Sequence, residues 1–160
     1  MEHIYSPWRM QYFDRDKSLV ECAFCEAFKR SDGPDNLIVH RGKTAFVILN
    51  LFPYTSGHLM VVPFEHSDTL EMLPAETQAE MMALTAKAIT VLKAVYHPQG
   101  FNVGINLGVA AGAGIAEHLH MHVVPRWGGD ANFISVIGET RVLPEAIQDT
   151  YCRLREGWQA

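Results

Sequence analysis

Residues 118–124 read His118-Leu119-His120-Met121-His122-Val123-Val124, three histidines alternating with apolar residues. Near neutral pH, imidazole works as nucleophile, proton carrier or metal ligand. Alternation at period 2 belongs to a β-strand. It predicts that the three imidazoles leave one face while Leu119, Met121 and Val123 leave the other. A glycine-rich run from Gly108 to Gly114 leads into the segment. Backbone N–H groups unobstructed by side chains can approach an anion. Pro125-Arg126-Trp127 follows at once, offering a cation and a flat ring. Together these residues point to chemistry on phosphate. Two other readings stand beside it: strand histidines of no consequence, and a metal cage, because H-x-H on a strand is a zinc-binding geometry.

Cys22-Ala23-Phe24-Cys25 is a second constellation. Alone it reads as a redox pair or as two packed cysteines. With His66 and His118 it completes a Cys2His2 set, and thiolate with imidazole suits zinc. A thioredoxin-like redox role would need an adjacent βαβ pattern, which the neighbouring residues lack. Cys152 reads as packing, and His3, His40 and His97 as solvated side chains without a visible partner.

Short elements must hold these groups in place. Ser31 to Asp35 is a loop by its turn residues. Asn36 to His40 and Thr44 to Leu49 are β-branched and apolar, joined by the tight hairpin Arg41-Gly42-Lys43. Phe52 to Gly57 is the next loop and His58 to Pro63 the next strand. Leu70 to Leu73 reads as one helical turn. Pro74 then opens a long helix to about Tyr96. Its stripe through Met81, Leu84, Ala88, Val91, Leu92 and Val95 faces the core. Phe101 to Asn106 and Glu117 to Val124 read as strands, and Pro144 to Gly157 as a terminal helix. The first twenty residues, with Trp8, Arg9, Met10, Tyr12 and Phe13, lack periodicity and read as an extended arm. The fold class is α+β: a five-stranded, mostly antiparallel sheet with one long helix and a C-terminal helix. A single domain spans 1–160, with an N-terminal arm over 1–35, a catalytic core over 36–130 and a C-terminal segment over 131–160.

The totals narrow the function classes. A chain of 160 residues with 48% hydrophobic content builds one ordinary core. A net charge of −5 without clustered lysines or arginines argues against nucleic acid as partner. No apolar run reaches membrane-spanning length, and Met1-Glu2-His3-Ile4-Tyr5 lacks the form of a signal peptide, so the cytoplasm is expected. Three cysteines, an odd number, do not make a secreted disulfide framework.

The histidine segment matches the pattern His-φ-His-φ-His-φ-φ, φ being apolar, and so resembles the histidine triad (HIT) superfamily of nucleotide hydrolases and transferases. Ile48-Leu49-Asn50 ahead of Tyr54-Thr55-Ser56-Gly57-His58 is similar to that superfamily's amide-then-histidine segment. Phe101 to Asn106 is similar to its penultimate core strand. Four stretches resemble the branch containing bacterial diadenosine tetraphosphate phosphorylases: Trp8 to Tyr12, Asn50 to Tyr54, Glu117 to His120, and Val124 to Asp130.

The resemblance implies a HIT-like fold, a homodimer, and cleavage of a dinucleoside polyphosphate at its α-phosphate. His120 would attack phosphorus while its other ring nitrogen donates to the carbonyl of His118. His122 and His58 would contact phosphate oxygens, Asn106 would reach the phosphates, and Asn50 would hold the ribose. Ile48 and Leu51 would wall the base; Gly112, Ala113 and Gly114 would offer backbone donors. From the residues alone, Arg126 could clamp a distal phosphate or cap the strand end, and Trp127 could stack on a base or pack in the core. Water or inorganic phosphate would complete the cycle. Some branches hold a structural zinc through residues corresponding to Cys22, Cys25, His66 and His118; no organic cofactor is implied. One departure stands out. Members commonly carry serine, threonine or glutamine just after the loop glycines, whereas this chain has Gly112-Ala113-Gly114-Ile115-Ala116. Hydrolysis of nucleoside phosphoramidates is the neighbouring activity within the superfamily. A non-enzymatic module binding zinc and nucleotide is the alternative outside it.

Overall fold

A computed structural model describes residues 22–131, 137 and 144–160; the expected arm over the first twenty residues lies outside them. Five strands form one antiparallel sheet in the order β1-β2-β3-β5-β4. They are β1 (Ile38–Arg41), β2 (Ala45–Leu49), β3 (Leu59–Pro63), β4 (Gly100–Ile105) and β5 (Met121–Arg126). Helix α1 (Ala23–Lys29) precedes the sheet, α2 (Ala75–Tyr96) links β3 to β4, and α3 (Ile147–Gln159) closes the chain. Among the described residues no helix is long and apolar enough to cross a membrane.

β2 and β3 are buried on both sides, as their unbroken apolar sequences require. One face meets α2, whose Met81, Leu84, Ala88, Val91 and Leu92 are buried as the stripe predicts, while Met82 is exposed. Pro74 stands just before α2, and His97, in the left-handed conformation with φ 47°, ends it. The opposite face carries a stack of Phe28, Phe46 and Phe64 and the histidines. Pairing across strands puts Ile48, Met60, His122 and Gly104 in one row on that face.

Two polar clasps tie the β1 side of the sheet. Glu80 of α2 accepts from the backbone N–H groups of Lys43 and Thr44 and the Thr44 hydroxyl, fixing the β1–β2 turn. Those donors hold its carboxyl below the ordinary glutamate value, against burial, which opposes the shift. Arg155 of α3 donates to the carbonyl of Val39 at 2.8 Å and reaches that of Ile38.

Several boundaries differ from the sequence reading. The last strand starts at Met121, not Glu117, because Leu119 N–H bonds the Ser67 carbonyl at 2.7 Å instead of a ladder partner. His118 and His120 therefore precede the regular strand. β1 starts at Ile38 because Leu37 has φ 60° and Asn36 Oδ1 accepts from Gly33 and Ile38 N–H. The C-x-x-C, for which the residues gave no element, opens a helix. α3 begins at Ile147, three residues later than expected. His40 is half-buried and stacked on Trp158 at 5.0 Å, not solvated, and burial lowers its pKa. Cys152 is exposed, so it does not pack.

Gly57 sets the entry to β3. It has φ 79°, and a Cβ there would stand 2.9 Å from the Leu92 side chain. Gly57→Ala combines a left-handed backbone penalty with a clash, so we expect a loss of about 2–4 kcal/mol in urea unfolding. A variant as stable as the parent would refute this account of the turn.

Candidate active site and metal cluster

The loop between β2 and β3 and the residues entering β5 build the site together. Asn50 N–H bonds the His58 carbonyl and His58 N–H bonds the Thr55 carbonyl, so the loop folds back onto its own histidine. Thr55 Oγ1 donates to the Pro125 carbonyl at 2.8 Å, tying that loop to β5.

Hydrogen bonds to the backbone assign the imidazole tautomers. His120 Nδ1 lies 2.8 Å from the His118 carbonyl; a carbonyl only accepts, so Nδ1 carries the proton and Nε2 a lone pair. Tyr54 N–H donates to His58 Nδ1 at 3.2 Å, so that nitrogen is bare. Phe52 N–H donates to Asn50 Oδ1, which turns the Asn50 amide nitrogen toward the same His58 Nδ1 at 3.3 Å. The His58 proton therefore sits on Nε2 and is donated to His122 Nδ1 at 2.9 Å. This leaves His122 with its proton on Nε2. Two neighbouring rings, 4.8 Å apart and 73° to each other, thus carry opposite tautomers. One has a nucleophilic Nε2, the other a donating Nε2–H.

Burial completes the electrostatics. His120 is 4% exposed, and desolvation lowers its pKa, keeping the ring neutral at pH 7. Phe24 lies against both His118 and His120, at 5.4 and 5.1 Å between ring centroids. His58 is fully buried, its ring held between the Tyr54 N–H and His122.

The remaining expected contacts divide. Ile48 sits in the same cross-strand row as His122, and Asn106 lies half-buried one residue beyond β4. Gly112 has φ 86° and follows the short turn Val109–Ala111; Ala113 is buried and Gly114 half-buried. Leu51 is more than half exposed. Arg126 is engaged, donating to both Asp130 carboxylate oxygens and to Asn102 Oδ1. Trp127 is half-buried, its backbone N–H on Asp130. Two contributors went unseen in sequence. Phe24 left a signal in its place between the cysteines. The Tyr54 N–H left none, because any residue other than proline supplies it.

Cys22, Cys25, His66 and His118 form the second cluster, with their four ligand atoms within 4.8 Å of one another. Sulfur to imidazole-nitrogen separations are 3.3, 3.3 and 3.6 Å. A tetrahedral zinc with ordinary bond lengths requires about 3.6 Å between such atoms, so the set fits that ion. The ring of His118 agrees: Nε2–H donates to the Pro63 carbonyl at 3.0 Å, which leaves Nδ1 bare and facing the sulfurs. Burial and the neighbouring Cys22 push the Cys25 thiol up to about 11, so ion binding must displace its proton.

A family model described as the HIT domain matches residues 31–129. A Mycobacterium tuberculosis protein named AP-4-A phosphorylase is 47% identical over 166 aligned positions, covering 99% of this chain and 85% of its own length. A zinc-bound histidine triad family protein from Mycobacterium smegmatis superposes with a TM-score of 0.69 at 27% identity, covering 87% of this chain and 94% of that one. A protein from Sulfolobus tokodaii described as a hypothetical histidine triad nucleotide-binding protein gives a TM-score of 0.70 at 26% identity, covering 86% of this chain and 92% of that one.

Long-range nitrogen–proton correlation spectra should place the proton of His120 on Nδ1 and that of His122 on Nε2. A His122 proton on Nδ1 would break the chain of donors from Tyr54.

Proposed function

The chain belongs to the HIT domain family, and from that premise we propose that it cleaves dinucleoside polyphosphates, diadenosine tetraphosphate foremost, at an α-phosphate through a nucleotidyl-His120 intermediate. The observation carrying this reading is the opposed tautomers of His120 and His122. His120 Nε2 donates its electron pair to the α-phosphorus, and the bond from that phosphorus to the bridging oxygen breaks. ATP leaves with that electron pair. Positive charge on the His120 ring is stabilised by Nδ1–H donating to the His118 carbonyl. The Nε2–H of His122 supports negative charge on the phosphate oxygens, and His58 holds that ring without reaching substrate. In the second half, water or phosphate attacks the same phosphorus and the bond to Nε2 breaks. Phosphate yields ADP, water yields AMP. The name of the 47% identical relative favours phosphate.

Asn106 and the glycine loop supply further phosphate donors, and Ile48 with Leu51 walls the base. Asn50 spends its amide on the loop and on His58 in this state, so ribose contact would use its remaining acceptor capacity. Cys22, Cys25, His66 and His118 would hold a zinc ion, which would supply a structural clamp; α1, and with it Phe24, would be kept against His120. The chain acts as one domain over 1–160 and as a homodimer. The exposed Met82 on α2 and Val103 on β4 support that assembly. A cytoplasmic setting keeps both thiols reduced for the metal.

His120→Ala should lower turnover of diadenosine tetraphosphate at least a thousandfold with zinc content and far-ultraviolet dichroism unchanged. Acid-quenched wild type should retain radiolabelled nucleotide on one histidine. Substrate consumption with no such adduct would exclude the covalent path. For the metal, we expect one zinc per chain, lost in Cys25→Ser. Chelator should inactivate slowly, in step with a falling thermal midpoint. Immediate inhibition with the fold intact would instead make the ion a participant in chemistry.

A further inference from the structure

The Tyr54 ring touches both histidines at the end of the donor chain. It lies 4.6 Å from the His58 ring, inclined at 47°, and 6.0 Å from the His122 ring, inclined at only 20°. His58 and His122 are themselves 5.1 Å apart between centroids. The three rings form a closed triangle, every side within the range of roughly 4.5–7 Å over which aromatic pairs attract.

The β2–β3 loop fixes where the Tyr54 ring can stand. Pro53, just before it, has its own φ locked. Tyr54 N–H donates to His58 Nδ1, and the Thr55 hydroxyl donates to the Pro125 carbonyl at 2.8 Å, three residues beyond His122 on β5. Tyr54 is therefore held through its backbone and its neighbour, with the ring delivered against His122. His122 needs such a contact. Its Nδ1 accepts from His58 Nε2 at 2.9 Å, which sets the tautomer. A hydrogen bond at one edge of a ring fixes that edge yet permits pivoting about it. The His120 ring stands at 73° to His122, whereas the nearly parallel Tyr54 ring opposes tilting out of plane.

We propose that Tyr54 is a positioning residue, whose ring keeps the His122 imidazole aimed so that its Nε2–H meets the oxygens on the α-phosphorus. The inference rests on the nucleotidyl-transfer reading and adds to it a side chain that acts through another. Aim matters most in the transition state, where negative charge gathers on those oxygens and a donor already oriented needs no reorganisation. A loosened donor still meets ground-state phosphate during part of its motion. Affinity therefore changes little while the chemical step slows. Transfer onto His120 and transfer off it use the same oxygens, so both halves of the cycle slow together.

The experiment uses full-length Tyr54→Leu, which removes the ring and keeps the N–H, with Tyr54→Phe as the rescue. Diadenosine tetraphosphate and inorganic phosphate are the probes. Leucine should lower kcat about tenfold or more, because slight misplacement of a reacting group costs up to about a hundredfold, with both KM values within roughly threefold of wild type. The acid-trapped adduct should form more slowly by the same factor. The His122 proton should stay on Nε2 in long-range nitrogen–proton spectra, because the N–H of residue 54 remains. Phenylalanine should restore kcat to within roughly threefold of wild type. Tyr54→Met, an apolar side chain without a ring, carries the same expectations should the leucine variant lose its fold. A smaller fall in kcat overturns the proposal. A larger rise in either KM also overturns it and makes the ring a substrate contact. A phenylalanine variant that stays slow gives the role to the hydroxyl, and a His122 proton moved to Nδ1 gives it to the tautomer; each overturns the proposal. Failure of the parent reading is seen separately, as wild type that consumes no dinucleotide at all.

Discussion

The hydrogen bond from His120 Nδ1 to the His118 carbonyl is the constraint on which the rest of the site depends. Neutral imidazole has one proton and two nitrogens, and only one arrangement leaves Nε2 nucleophilic. A backbone carbonyl enforces that arrangement because it can do nothing but accept. The same residue offers its ring to the Cys22–Cys25–His66 cluster, so His118 joins that cluster to His120 through its own backbone carbonyl. Burial works in the same direction. With His120 nearly closed from water, a protonated ring is disfavoured and the lone pair stays available.

The fold puts that bond where it can act by giving the two faces of one sheet different tasks. α2 covers one face with an apolar stripe, and the packing there is ordinary. The other face gathers the aromatic stack, the histidines and the thiols, brought from segments nearly a hundred residues apart in sequence, as in Cys22 against His118. The β2–β3 loop serves both: Gly57 presses against Leu92 on the helix side, and the next residue, His58, faces His122.

Much of this was legible in the residues. Period-2 alternation announced the histidine strand, although of the three only His122 lies within it; the α2 stripe gave the long helix, and the family resemblance with zinc's ligand preferences pointed to Cys22, Cys25, His66 and His118 before any distance was known. What stayed illegible has a common physical cause. The tautomer of His58 is set by the N–H of Tyr54, a group that sequence cannot distinguish from any other peptide N–H. The start of β5 is set by Leu119 bonding to Ser67, a competitor from another part of the chain that local pattern does not contain. The family resemblance pointed His58 toward phosphate, while no local pattern announces that its ring is buried against Tyr54 and His122. Residue identity announces chemistry; tertiary packing sets how far each imidazole is closed from water.

The contact of Arg155 with β1 has a consequence for how copies of this molecule can join. Its guanidinium occupies carbonyls along one border of the sheet. A neighbouring chain seeking to add a strand there would have to displace a charged hydrogen bond. One arginine thus guards the β1 border against strand addition, the route by which an open sheet edge lengthens without limit.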